Sequence, residues 1–121
     1  MDKRTPNGNR TYTAGAAIIK GQPVKFSSGK VVPCTAANDA AIGIALDSAA
    51  ADGDILPVAI LGNFTGTVEV RVGGAVEAGA QIAADGTATA AASDVIIGRA
   101  LEAGTAEGDM VEIAHQVGQV K

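Results

Sequence analysis

The chain has 121 residues, enough for one domain of ordinary size. It is 47% hydrophobic but only 2% aromatic and has no tryptophan, so its core must be built from small and branched aliphatic side chains. A formal net charge of −4 with so few rings excludes the basic, stacking surface that nucleic acid requires, and no apolar run approaches the roughly 20 residues that span a bilayer. Burying a Val, Ile or Leu is worth about 1.5–3 kcal/mol, whereas Ala, the commonest residue here, contributes one methyl. A core thin for its length is expected, with assembly as a further source of burial. The single Cys34 can form no internal disulfide, and no charged-then-apolar signal segment opens the chain. The expectation is a protein made in the cytoplasm.

Residues 1–13 are polar, hold Pro6 and Gly8, and show no apolar periodicity. They read as an arm outside a single β domain spanning 14–121. Lys3, Arg4, Arg10 and Tyr12 give this arm a basic, partly aromatic character suited to docking on another protein. From Ala14 onward short strands alternate with turns. Ala16 to Ile19 leads into a turn at Gly21, Val24 to Phe26 follows, and Ser27-Ser28-Gly29-Lys30 is a second turn before Val31-Val32. Gly21 and Gly29 are expected to supply the positive φ that tight turns need.

In Ile42–Leu46 the alternation puts Ile42, Ile44 and Leu46 on one face, with Leu56, Val58 and Ile60 as the matching apolar face of the next strand. Pro57 lacks a backbone donor, which predicts a sheet edge or a bulge there. Val68, Val70 and Val72 point inward while Thr67, Glu69 and Arg71 point outward. Short helical turns at Ser48–Ala51 and Ala88–Ser93 are the most helix the pattern allows.

The chain then repeats itself. Ile42-Gly43-Ile44-Ala45-Leu46 returns as Ile97-Gly98-Arg99-Ala100-Leu101, and Asp52-Gly53-Asp54 as Glu107-Gly108-Asp109, both at an offset of 55 residues. Gly21 and Val24 return as Gly79 and Ile82 at an offset of 58. Two similar β units, about 14–62 and 74–118, predict an all-β fold, a small sandwich or barrel. If residues 46 and 56 oppose one another, Arg99 faces Ile113 and has His115 as its diagonal neighbour. The apolar face of the first unit (Ile44, Ile60) then becomes polar in the second (Arg99, His115), which marks those two residues as a subunit-interface candidate.

Little in the chain looks catalytic. His115 is the only histidine and falls where the first unit has Ile60, so a satisfied or solvent-facing strand histidine is expected. Cys34 reads as a small buried hydrophobe. The Asp52-Gly53-Asp54 and Glu107-Gly108-Asp109 loops each offer two carboxylates, better explained as turns than as calcium sites. Neither a phosphate loop nor a dinucleotide fingerprint is present. No enzymatic activity, metal or cofactor is expected.

The ordered set Gly21, Val24, Ile42–Leu46, Gly53-Asp54, Val58, Ile60, Gly62, Gly79, Ile97-Gly98, Ala100-Leu101-Glu102, Gly108-Asp109, Val111 and Ile113 resembles the capsid cement, or head decoration, proteins of tailed bacteriophages. The resemblance covers nearly everything from about residue 15. It implies a non-enzymatic β protein that sits as a homotrimer on the outer surface of an icosahedral capsid and ties major capsid subunits together, with no nucleic-acid or membrane partner. Lambda-type decoration proteins attach through an extended N-terminal arm; by analogy Lys3, Arg4, Arg10 and Tyr12 would lie in the capsid-binding arm here. A tail or baseplate module and a carbohydrate-binding surface module share the β composition, and low aromatic content argues against the second.

Overall fold

Valine and isoleucine at alternate positions, interrupted by glycine turns, fold into two antiparallel sheets. The computed structural model describes residues 8–88 and 91–121, and no helix forms among them. The strands are β1 (Asn9–Thr13), β2 (Pro23–Ser27), β3 (Lys30–Pro33), β4 (Gly43–Ala45), β5 (Ile55–Ile60), β6 (Val68–Arg71), β7 (Gln81–Ala83), β8 (Val95–Ala100) and β9 (Met110–Val120). One sheet has the order β1-β5-β4-β2-β3 and the other β6-β9-β8-β7. These are one topology written twice, with β3 unmatched by a named strand. The duplication extends to single bonds: Ile18 and Ala49 exchange backbone hydrogen bonds, and so do Val76 and Gly104.

The repeat begins earlier than residue 14. Thr13 pairs with Ile55 and Arg10 with Val58, just as Arg71 pairs with Met110 and Val68 with Ile113. Residues 9–13 are therefore the first strand of unit one, the counterpart of β6. The arm expected over 1–13 does not describe them. Their side chains are polar because the strand lies at the outer margin of its sheet, which hid them from a search for apolar alternation.

Local chemistry sets the turns. Ser28 and Gly29 both have positive φ, 52° and 80°, and sit between the paired Ser27 and Lys30. That is the two-residue turn whose twist matches a hairpin. Gly21 also has positive φ, as its turn requires. Asp54 accepts the amides of Ala50 and Ala51, and Asp109 those of Thr105 and Ala106, at 2.9–3.1 Å. The repeated Ile-Gly motif has a different cause. A Cβ on Gly43 would lie 2.5 Å from the Ala59 carbonyl oxygen, and one on Gly98 2.6 Å from that of Ala114. The strands pass too closely there for any side chain.

Register differs from expectation by one residue. Ile44 pairs with Ala59 and Arg99 with Ala114. Since a slip of one reverses every side chain, Ile44 shares its face with Ala59, while Leu56 and Val58 lie on the other face with Ala45. Both faces of β4 and β5 are consequently buried. Pro57 is not at an edge, because β1 covers β5. Its carbonyl accepts the Leu46 amide at 3.0 Å just beyond the end of β4, so the missing donor costs a bond only where the ladder is already ending.

Two cores result. The first fills the inside of unit one's curled sheet, whose margins meet at the Ala14–Val31 bridge; it holds Ile18, Val24, Val31, Leu56 and Val58. The second joins the inner face of unit two (Val70, Val72, Ile82, Ile97, Val111, Ile113) to the outer face of unit one at Ile44, Ala59 and Leu61. Unit one thus stands as a lid on unit two. Amide bonds from Arg71 to Gly21 and from Val95 to Ala37, both 2.8 Å, fasten the lid. The accessible surface of 6203 Å² is close to the roughly 5,900 Å² of an ordinary monomer of this mass, so overall burial is not unusually poor.

Candidate docking surfaces

Lys3 and Arg4 lie outside the described residues. Arg10 and Tyr12 project from β1 at the open mouth of unit one's sheet. The Arg10 guanidinium lies 5.6 Å from the centre of the Tyr12 ring, and Tyr12 meets Phe26 edge-on at 5.5 Å. Phe26 is 53% exposed, and Tyr12, Ile42 and Ile60 pack half-buried against the core beneath. The mouth thus sets a guanidinium on Tyr12 beside the exposed ring of Phe26, a charge and apolar surface side by side.

The structure does not bring Arg99 and His115 together. Arg99 is exposed and donates to the Gly79 carbonyl at 2.8 Å. His115 pairs with Gly98 and so points to the opposite face. Its ring clasps the connector between the units: Nδ1 accepts the Gly62 amide at 2.9 Å, which leaves the proton on Nε2 to be donated to the Gly66 carbonyl, also at 2.9 Å. The Phe64 ring lies 6.1 Å away. This histidine is satisfied and structural, as expected, but not half of a pair with Arg99.

Sequence reasoning missed a groove of about 370 Å³ between the units. Lys20 and Leu46 line it from unit one, Phe64 from the connector, and Glu69, Met110 and Glu112 from unit two. Glu69 and Glu112 are directly opposite on neighbouring strands, and neither forms an ion pair among the described residues. Glu112 accepts the Thr67 hydroxyl, and its amide donates to Glu102. The outward position of Glu69 was legible in the alternation, but its partner across the sheet depends on register.

The remaining ionisable candidates serve the fold. Burial pushes the Cys34 thiol up to about 12, with the Asp39 carboxylate adding to the effect, so it is no nucleophile near neutral pH. Asp39 accepts the Thr35 and Ala36 amides and pairs with Lys25 at 3.0 Å. Asp52 pairs with Lys30 at 2.8 Å, and Asp54 caps its own turn, which accounts for both carboxylates of the first loop.

The doubled β body thus carries Asp-capped turns, an apolar-cationic mouth on unit one and an acidic groove between the units. The sequence matches the phage cement protein family over residues 4–115, and the chain belongs to that family. Among solved structures, it is similar to the crystal structure of the head fiber gp8.5 N base of bacteriophage phi29, with a TM-score of 0.68 and 20% identity over 93% of this chain and 97% of that one. No curated protein matches the sequence.

Proposed function

We propose that this protein is a capsid cement, binding the outer surface of an icosahedral phage head as a homotrimer and tying neighbouring major capsid subunits together. Membership of the phage cement family across most of the chain carries this reading. The shared fold of a phage head fiber base supports attachment to the head rather than to a tail. The chemistry is consistent with a non-enzymatic role: the thiol is buried and both nitrogens of the only histidine are engaged. A net charge of −4 suits an outer surface better than contact with packaged DNA. The protein would be made in the host cytoplasm and join the shell there.

The test is co-sedimentation with purified heads that lack the protein, followed by heating. Bound protein at a fixed ratio to capsid subunits, with DNA released at a higher temperature, is the expected result. Failure to sediment with heads, or binding without stabilisation, overturns the assignment. Two truncations locate the attachment. Removing residues 2–7 leaves β1 in place, so the fold should survive with weaker head binding; removing 2–13 strips β1 from β5 and should unfold unit one.

A further inference from the structure

The duplication provides an internal control for every surface position. In unit two the inward positions Val68, Val70 and Ala84 are buried, because unit one's outer face covers them. Their counterparts in unit one, at offset 58, are Arg10 and Phe26, both exposed, and Tyr12, half-buried between them. The same comparison singles out the groove. Glu69 and Glu112 occupy the places held in unit one by the neutral pair Thr11 and Pro57. The fold does not require two like charges opposite each other, an arrangement that is destabilising when unrelieved. With Lys20 nearby, the groove carries two carboxylates and one ammonium, so one further cation would neutralise it.

We propose that the open mouth of unit one binds a second copy of this chain, seating Arg10 in the acidic groove between that copy's units. The match is of both charge and polarity. Arg10 meets Glu69 and Glu112, while Tyr12 and Phe26 meet the apolar side chains Leu46, Phe64 and Met110. Excluding water from such a contact strengthens the charge pairing beyond that of an exposed pair. Mouth and groove are different surfaces, so the contact is head-to-tail and generates a ring if the rotation closes. It rests on the self-assembly part of the function proposed above and supplies its interface.

Sedimentation equilibrium over a dilution series tests the contact on the full chain, with circular dichroism confirming the fold of each variant. Arg10→Glu and Glu69→Arg should each weaken self-association about tenfold or more. The double variant carrying both changes restores opposite charges and should regain most of the lost affinity. Phe26→Ser, which leaves all charges in place, should also weaken association. A wild-type protein that stays monomeric, an Arg10→Glu protein that associates normally, or a double variant no better than its parents overturns the proposal. Head co-sedimentation separates the two readings. If Arg10→Glu self-associates normally but no longer binds heads, the mouth faces the shell: this proposal fails and the cement function stands.

Discussion

Unit one and unit two share a topology, two Asp-capped turns and the close approach at an Ile-Gly dipeptide, yet equivalent positions meet opposite fates. Ile44 is fully buried, while Arg99, its counterpart, is exposed. Phe26 is exposed and Tyr12 half-buried, while Val70 and Ala84 have no exposed area. The difference follows from stacking order. Unit one lays its outer face over unit two's inner face, so Ile44 needs a hydrocarbon side chain and Arg99 does not. A duplicated sheet therefore diverges according to which copy covers which, even where the strands themselves are alike.

Exchanging residues between the units should break this asymmetry most severely where the lid sits. Ile44→Arg, which gives unit one the residue of unit two, buries an unpaired charge between the sheets and should cost roughly 3–5 kcal/mol. That is a large share of the roughly 5–15 kcal/mol that holds a domain folded. The reciprocal Arg99→Ile should change stability by about 1 kcal/mol or less. Urea denaturation of the pair decides it; equal losses would mean that unit one is not the lid.

A smaller effect is expected at the connector. His115→Ile copies Ile60 into unit two and leaves the Gly62 amide without its acceptor. A loss of about 1–2 kcal/mol should follow, with faster hydrogen exchange at Gly62. Unchanged exchange there would show that the imidazole does not hold the connector.

The smallest effect is acid sensitivity, which falls on one carboxylate in each unit. Partial burial works against the Asp39 carboxylate, but the Ala36 and Thr35 amides and Lys25 outweigh it and hold its pKa below the ordinary 3.8. The Thr105 amide and hydroxyl and the Ala106 amide hold Asp109 below the same value. Both folded-state values are depressed, so their stabilisation is complete above the unfolded value and disappears as pH falls through the folded ones. Thermal melts should show a drop below about pH 4, shallower in Asp39→Asn and Asp109→Asn. Variants with the wild-type acid profile would refute these two groups as its source.

What the sequence by itself determined was local or repetitive. The turn over Ser27–Lys30 follows from the glycine at 29, though the positive φ of Ser28 was not written in the sequence, and the Asp54 and Asp109 caps follow from carboxylates placed three and four residues beyond free amides. Inward Val68, Val70 and Val72 follow from strict alternation, and the duplication from offsets of 55 and 58 that the backbone bonds reproduce. What only the tertiary structure decided was pairing across distance. The register of β4 on β5 was ambiguous because both faces of those strands are apolar, so alternation could not say which face met which core. The same one-residue difference between β8 and β9 put Arg99 and His115 on opposite faces, and the separate register of β6 on β9 set Glu69 against Glu112. Residues 9–13 became a strand because β5 offers its backbone donors and acceptors there, a partnership carried by main-chain atoms and therefore unwritten in side-chain polarity.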